Sequence, residues 1–225
     1  MSIIYLIVAE KVTILKTIMG KKYDAIFCDL GNVLINFDHR IAVRKILQYT
    51  PKKEDEIYSL FFDSSFTELY EEGKIDPAEF FRRVKKTIEL DLDYDGFFLI
   101  WNDIFFEVTL NKKMHDFLKK AKSVYKLVMI SNLNVTHFEF LKKTMPVFKE
   151  FDSLILSYEV GCRKPAHGIY KAALESVRAP SDRVFYIDDR RDLIEAASGL
   201  GIKGVVFDGD KAFEAIEKEL GYDLG

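Results

Sequence analysis

Five polar residues of this chain have the side-chain chemistry that phosphoryl transfer requires. They are Asp29, Ser131, Lys164, Asp188 and Asp189, and each lies at the end of a short apolar run or in the loop after one. Such runs are typical of buried parallel strands, and open parallel sheets bind ligands beyond the carboxyl ends of their strands. We therefore expect these residues, which are distant in sequence, to converge at one edge of a sheet.

The charges of this set explain why it suits the reaction. A phosphate monoester and an attacking carboxylate are both anionic, so positive charge must be fixed between them. The carboxylate oxygens of Asp29 and Asp189 are hard ligands of the kind that Mg²⁺ prefers, and Lys164 adds an ammonium on the opposite side. Ser131 and the backbone N–H groups after Asp29 can hold the remaining phosphate oxygens. Asp29 can then attack phosphorus to give an aspartyl-phosphate, which water hydrolyses.

Each of these residues also has an ordinary structural interpretation. Asp29 can cap a turn, Ser131 can belong to a helix N-cap pair, and the two acids at 188–189 can cap the helix that follows them. Lys164 precedes a proline and can be a solvated loop lysine. The chemical interpretation depends on the whole set occurring in this order and at these strand ends.

The elements that must position these residues alternate between strand and helix. Apolar runs predict strands at residues 24–29, 126–130, 153–157, 183–187 and 204–207. Helix-period patterns predict helices at residues 111–122, 134–145, 167–177, 191–200 and 210–220. This alternation predicts an α/β fold with a Rossmann-like parallel sheet and helices on both faces.

One stretch interrupts the alternation directly after the first strand. Residues 38–108 show no strand pattern and are rich in helix-period sequence, which predicts an inserted all-helical cap subdomain. Within it, the aromatic run 97–106 is expected to form the buried face of a cap helix, with part of the substrate pocket wall as the alternative interpretation. The chain then divides into an N-terminal extension at 1–18, a catalytic core at 19–37 and 109–225, and the cap at 38–108.

Composition excludes several classes of function. The 225 residues include 33 basic and 36 acidic side chains, a formal charge of −3, and no basic block, so we expect no nucleic-acid partner. The apolar run at residues 3–8 is too short to span a bilayer, so we expect no membrane partner. Two cysteines, Cys28 and Cys162, do not make a disulfide framework, which favours a cytoplasmic location. Nothing in the composition indicates an oligomeric state.

The motifs have a family resemblance. The segments DLGNVLI at 29–35, ISN at 130–132, RKP at 163–165 and YIDDRRDLIEAA at 186–197 resemble the four motifs of the haloacid dehalogenase-like superfamily. The resemblance covers residues 23–208. It is most similar to the branch of bacterial sugar-phosphate phosphatases such as α-glucose-1-phosphate phosphatase.

The resemblance implies a function and a set of site residues. The function is a Mg²⁺-dependent phosphatase that acts on small phosphorylated metabolites, sugar phosphates foremost, with the cap selecting substrates. Asp29 is the implied nucleophile, and the implied phosphate-binding residues are Leu30, Gly31, Ser131, Asn132 and Lys164. Mg²⁺ is implied to bind Asp29, the backbone carbonyl of Gly31 and Asp189, with Asp188 reaching the metal through water.

One departure from the family pattern leaves alternatives open. Most phosphatases of this superfamily have a second Asp two positions after the nucleophile as general acid and base, and this chain has Gly31 there. Asp38 and His39 are nearby candidates, although a helix N-cap and a solvated histidine explain them equally well. A phospho-ligand binding or regulatory module with little turnover is therefore an alternative function. A haloacid dehalogenase is a weaker alternative, since those enzymes need no metal and have a Ser-rich segment where this chain has paired acids.

Overall fold

The computed structural model describes residues 21–62 and 65–221. Within them, five parallel strands form the main sheet and two short strands form a separate ribbon. The strands are β1 (Ala25–Cys28), β2 (Asn36–Phe37), β3 (Phe105–Phe106), β4 (Lys126–Ser131), β5 (Ser153–Leu156), β6 (Val184–Asp188) and β7 (Lys203–Val206). The helices are α1 (His39–Ile46), α2 (Glu54–Phe62), α3 (Ser65–Glu71), α4 (Pro77–Thr87), α5 (Tyr94–Asn102), α6 (Thr109–Ala121), α7 (Val135–Thr144), α8 (Ser157–Val160), α9 (His167–Val177), α10 (Arg191–Ser198) and α11 (Asp210–Leu220). The predicted extension at 1–18 lies outside the described residues. No helix within these ranges combines the length and the apolar character needed to cross a membrane.

The main sheet has the strand order β5-β4-β1-β6-β7, and every neighbouring pair in it is parallel. The first strand of the described residues, β1, therefore lies at the centre, between β4 and β6. Helices cover both faces, so the predicted Rossmann-like α/β fold is confirmed. Because β1, β4 and β6 are adjacent, the residues at their carboxyl ends come together on one edge of the sheet.

Successive side chains of each strand point to opposite faces of the sheet, so the core has two layers. Ile26 and Cys28 of β1 belong to the apolar cluster that also contains Phe117 of α6 and Ile216 of α11. Ala25 and Phe27 point to the other face, where their cluster includes Tyr170 of α9. Both faces of a central parallel strand are buried in this way, which is why the strand is a continuous apolar run.

The cap helices α1 to α5 have a core of their own. Fully buried aromatic side chains form it, among them Phe80, Phe97 and Trp101, and the Phe80 ring stacks on Tyr70 with centroids 4.3 Å apart. Three helices begin where an Asp side chain accepts a hydrogen bond from a backbone N–H of the first turn. These caps are Asp38 to Arg40 N (2.9 Å), Asp76 to Glu79 N (2.7 Å) and Asp93 to Gly96 N (2.8 Å).

The expectation that residues 38–108 hold no strand is wrong at one place. Phe105–Phe106 pairs antiparallel with Asn36–Phe37 in a two-stranded ribbon at the base of the cap. The aromatic run 97–106 is therefore split, because α5 ends at Asn102 and the last two aromatic residues form β3. Two residues are too few to show the period-2 alternation of a strand, so the sequence pattern missed the ribbon. The predicted boundaries between cap and core stay a prediction.

Replacing Phe27 by alanine tests the central position of β1. Phe27 is fully buried and lies between Val128 and Tyr186 of the neighbouring strands. We expect Phe27→Ala to lower the free energy of unfolding by about 3–5 kcal/mol, because the cavity cannot collapse within a rigid sheet. Urea denaturation measures this change. The control is Leu99→Ala, at a residue that is 75% exposed, with a change within about 0.5 kcal/mol. Equal effects of the two variants would contradict the assignment of β1 to the core.

Candidate active site

A cavity of about 140 Å³ opens at the carboxyl ends of β1, β4 and β6, between the sheet and the base of the cap. The core contributes one part of its lining, made of Asp29, Leu30, Gly31, Asn32, Ser131, Asn132, Leu133, Lys164, Asp189, Arg190 and Leu193. The ribbon, the cap and helix α7 contribute the rest, with Ile35, Phe37, His39, Glu71, Phe105 and His137. The cavity therefore combines a polar floor from the sheet with a largely aromatic wall.

The floor is organised by a buried lysine between two carboxylates. The Nζ atom of Lys164 lies 2.7 Å from Asp29 Oδ1 and 2.7 Å from Asp188 Oδ2. Lys164 is 3% exposed, and Asp188 is fully buried. Buried carboxylates so close together need a counter-charge, and the ammonium supplies it to both.

The backbone of Lys164 is held in place by Asn132. The side-chain Oδ1 of Asn132 accepts a hydrogen bond from Lys164 N (2.7 Å), and its Nδ2 donates to Lys164 O (3.0 Å). Asn132 lines the cavity, as the prediction of a phosphate contact requires, but its amide group is already committed to these two bonds. The structure thus gives Asn132 a positioning contact that the sequence motif did not reveal.

Asp188 lies behind the cavity wall and not in it. Its Oδ2 accepts hydrogen bonds from Lys164 and from the Tyr186 hydroxyl, and its Oδ1 accepts one from Arg190 N (2.9 Å). Both carboxylate oxygens thus have protein donors. Tyr186 and Asp188 are two residues apart on β6 and so share one face of the sheet, which is the signal that could have identified Tyr186 from the sequence.

Asp189 completes an acidic cluster with Asp29 and Asp188. Each of the three offers one carboxylate oxygen within 4.8 Å of the others, and hard oxygen ligands in this arrangement suit a divalent cation such as Mg²⁺. Asn32 orients Asp189 by donating from Nδ2 to Oδ2 (2.9 Å). Asn32 has a φ of 54°, in the left-handed region that Asn tolerates better than most residues.

Burial and the neighbouring charges shift the acid–base properties of these groups. Burial raises the pKa of Asp29 to about 7; the Lys164 ammonium opposes this shift, whereas Asp188 and Asp189 add to it. Burial lowers the pKa of Lys164, but the two carboxylates outweigh burial and raise that pKa above its ordinary value. Lys164 is therefore charged at neutral pH and favours the charged form of Asp29 against the effect of burial.

The two candidates for the missing general acid occupy different environments. Asp38 does not line the cavity, and its Oδ1 accepts the hydrogen bond from Arg40 N that begins α1, as the N-cap interpretation expects. His39 does line the cavity, with its ring 5.0 Å from that of Phe37. Burial lowers the pKa of His39 to about 4, so the imidazole is neutral at pH 7.

The structure brings together most of the residues predicted from the motifs. Those that line the cavity are Asp29, Leu30, Gly31, Ser131, Asn132, Lys164 and Asp189, while Asp188 lies directly behind them. Their individual roles in phosphate and metal binding stay predictions. Sequence reasoning missed Glu71, Phe37 and His137, because only the packing of the cap on the core brings them to the cavity. Phe105, which also lines the cavity, belongs to the aromatic run 97–106, for which a place in the pocket wall is the alternative interpretation.

Comparisons with known proteins agree with this geometry. A D-ribitol-5-phosphate phosphatase from Bacteroides thetaiotaomicron is 24% identical over 181 residues, which are 78% of this chain and 87% of that protein. A drimenol cyclase from Aspergillus calidoustus is 25% identical over 188 residues, 81% of this chain, and this chain spans 34% of the length of the cyclase.

Solved structures show the same similarity. A HAD family enzyme from B. thetaiotaomicron, crystallised with magnesium and inorganic phosphate, superimposes with a TM-score of 0.75 at 25% identity. The superposition covers 86% of this chain and 98% of that enzyme. A family model for haloacid dehalogenase-like hydrolases matches residues 23–201. This chain belongs to the haloacid dehalogenase-like hydrolase family of enzymes.

Proposed function

We propose that this protein is a Mg²⁺-dependent phosphatase that hydrolyses small phosphorylated metabolites, sugar phosphates foremost, through an aspartyl-phosphate on Asp29. The observation that carries the proposal is the contact of 2.7 Å between Lys164 Nζ and Asp29 Oδ1 at a cavity that Asp189 also lines. Similarity to a ribitol-phosphate phosphatase and to an enzyme crystallised with magnesium and phosphate supports it.

The acidic cluster fits the proposed metal. Asp29 and Asp189 line the cavity and would hold Mg²⁺ together with the backbone carbonyl of Gly31. Bound there, the ion would supply positive charge that offsets the charge of the phosphoryl oxygens. Asp188 has both oxygens engaged by protein donors, so in this proposal its main task is to position Lys164.

The proposed reaction uses residues on three adjacent strands. One carboxylate oxygen of Asp29 attacks phosphorus while the Lys164 ammonium and the Ser131 hydroxyl hold oxygens of the phosphoryl group. The N–H groups of Leu30 and Gly31, directly after the nucleophile, are further donors for those oxygens. The bond from phosphorus to the leaving oxygen breaks, and water then hydrolyses the aspartyl-phosphate to release phosphate and restore Asp29.

The leaving group receives little help with its charge in this proposal. Gly31 has no side chain to donate a proton, Asp38 is used as a helix cap, and His39 is a neutral imidazole. Gly31 also packs tightly, since a Cβ atom there would lie 2.7 Å from Phe37 Cε1. The aromatic ribbon at the base of the cap thus occupies the space that an acidic side chain would need.

Asparagine substitutions of the two cavity carboxylates test the function. We expect Asp29→Asn to reduce phosphate release by about 10⁴-fold or more, because the covalent route has no substitute nucleophile. Asp189→Asn should weaken Mg²⁺ binding and recover part of its activity in excess Mg²⁺. Release of inorganic phosphate from a panel of sugar and polyol phosphates is the measurement, with Asp116→Asn, at a surface carboxylate that is 70% exposed, as the control.

Two results of that experiment would contradict the proposal. Asp29→Asn protein with most of its activity would exclude the covalent mechanism. An unaltered protein that binds phosphate and Mg²⁺ but releases no phosphate from any ester would favour the alternative function, a phospho-ligand binding or regulatory module.

The absent acid predicts a steep dependence of rate on the leaving group. A positioned general acid increases the rate by about 10²–10⁴-fold, and the increase is largest for leaving groups of high pKa. With Gly31 at that position, kcat/KM for a series of aryl phosphates should fall steeply as the pKa of the phenol rises. A shallow dependence in the unaltered protein would show that another acid is present, and the same series measured with His39→Gln would identify it if the slope became steep.

Removal of Lys164 tests the electrostatics of the floor. In the presence of a chelator at pH 8, we expect Lys164→Met to lower the free energy of unfolding by about 3–5 kcal/mol, because two buried carboxylates lose their counter-charge. The loss should be smaller at pH 5. Burial raises the pKa of Asp29 above its unfolded value, and loss of the Lys164 ammonium raises it further in the variant. Protonation of Asp29 therefore stabilises the folded variant at low pH, and that stabilisation disappears as the pH rises through the folded pKa.

The control for this prediction is Lys119→Met, at an exposed ion pair with Asp116. We expect a change within about 1 kcal/mol at either pH. A Lys164→Met variant as stable as the unaltered protein at pH 8 would show that Asp29 and Asp188 do not need this counter-charge.

A further inference from the structure

A carboxylate from the cap reaches the cavity that the core carboxylates line. Glu71 is the last residue of α3, and its side chain is 20% exposed. It lines the cavity together with Asp29 and Ser131 but does not belong to the cluster of Asp29, Asp188 and Asp189 that suits a metal. The metal and the phosphoryl group in the proposed function therefore leave Glu71 without a role.

The position of Glu71 is fixed by contacts between the cap and the core. Its backbone carbonyl accepts a hydrogen bond from Ser157 Oγ (2.5 Å), and its Oε2 forms an ion pair with Arg163 Nε (2.9 Å). Gly73, two residues later, has a φ of 65°, and a Cβ atom there would lie 2.1 Å from the Tyr158 carbonyl oxygen. The cap segment thus presses against α8 too closely for a side chain, and Glu71 is held beside the cavity before substrate binds.

The charges around the cavity show what Glu71 would face. Among the described residues that line it, Asp29, Asp189 and Lys164 serve the metal and the phosphoryl group in the proposed function. Arg190 is paired with Asp192, with Nε 3.1 Å from Oδ1. Glu71 is then the lining carboxylate left to meet the leaving group. Burial raises the pKa of Glu71, but the guanidinium of Arg163, which pairs with its Oε2, opposes this shift and favours the charged form. A carboxylate accepts hydrogen bonds from hydroxyl groups and repels a second anionic group.

The cavity wall near the base of the cap complements this carboxylate. Phe37, Phe105 and His39 present aromatic rings, and burial keeps the imidazole of His39 neutral at pH 7. A carbon chain can pack against these rings while its hydroxyl groups point toward Glu71. No side chain of this wall offers a cation to an anionic leaving group.

We propose that Glu71 is a specificity-determining residue that selects phosphate esters of uncharged, hydroxylated leaving groups and excludes esters whose leaving group carries a carboxylate or a second phosphate. The inference rests on the proposed phosphatase function and goes beyond it by assigning the substrate class to a cap residue. Hydrogen bonds to a charged acceptor strengthen binding of the polyol ester, and like-charge repulsion weakens binding of the anionic ester.

A pair of matched substrates tests this proposal. Glycerol 3-phosphate and 3-phosphoglycerate have the same chain length and differ by a hydroxymethyl group in place of a carboxylate. We expect the unaltered protein to have a kcat/KM at least about tenfold higher for glycerol 3-phosphate, which corresponds to one strong hydrogen bond or one unscreened repulsion. Glu71→Gln, which keeps the shape and removes the charge, should reduce this ratio by about tenfold, chiefly by increasing kcat/KM for 3-phosphoglycerate.

The control variant is Glu68→Gln. Glu68 is the other carboxylate on Arg163, with Oε1 3.0 Å from Nη1, but its side chain is 63% exposed and does not line the cavity. It should leave the substrate ratio unchanged, which separates the charge in the cavity from the pairing of Arg163. Inhibition by inorganic phosphate should be similar in both variants and in the unaltered protein, showing that the phosphoryl site is intact.

The outcomes separate this inference from the proposed function. An unaltered protein that hydrolyses 3-phosphoglycerate as well as glycerol 3-phosphate overturns the inference, whether or not Glu71→Gln folds. A Glu71→Gln protein that folds and keeps the original ratio also overturns it and leaves the phosphatase function standing. Absence of phosphate release from every ester tested overturns the proposed function, and the inference with it.

Discussion

The ammonium of Lys164 between the buried carboxylates of Asp29 and Asp188 is the interaction on which the rest of the site depends. Two carboxylates so close together in a buried position would take up protons without a counter-charge, and Asp29 would then be a poor nucleophile. Lys164 raises the population of the charged form while it forms ion pairs with residues on two neighbouring strands. The same contacts thus hold the sheet edge together and prepare the proposed nucleophile.

The strand order makes this interaction possible. Because β1 lies between β4 and β6, the carboxyl ends of three strands deliver Asp29, Asn132 and Asp188 to one place. Asn132 forms hydrogen bonds with the backbone of Lys164, and the Tyr186 hydroxyl donates a hydrogen bond to Asp188. Both the lysine and one of its two carboxylate partners are therefore held in position by a further residue. The cap then covers this floor through the ribbon of β2 and β3 and through the contact of Glu71 with α8.

Much of this arrangement could be predicted from the sequence, for a physical reason. Strands that are buried on both faces are continuous apolar runs, which a sequence shows directly. The strand predicted at residues 126–130 therefore differs from β4 by only one residue. The polar residue that follows each run marks the edge of the sheet. The ribbon at Phe105–Phe106 could not be predicted because two residues show no period. The sequence motifs predict phosphate and metal contacts for Asn132 and Asp188, and these stay predictions. The hydrogen bonds of Asn132 with the backbone of Lys164 and of Asp188 with Lys164 and Tyr186 could not be predicted, because they depend on how the strands pack. Glu71 is distant in sequence from every motif, and only tertiary packing brings it to the cavity.

The stereochemical course at phosphorus tests the central claim most directly. A phosphorothioate ester made chiral at phosphorus with two oxygen isotopes, hydrolysed in water that carries the third, distinguishes two displacements from one, because each in-line attack inverts the configuration. Attack by Asp29 followed by attack of water on the phosphorylated aspartate predicts overall retention of configuration in the inorganic thiophosphate. Overall inversion would show that water attacks the ester directly, and Asp29 beside Lys164 would then not be the nucleophile.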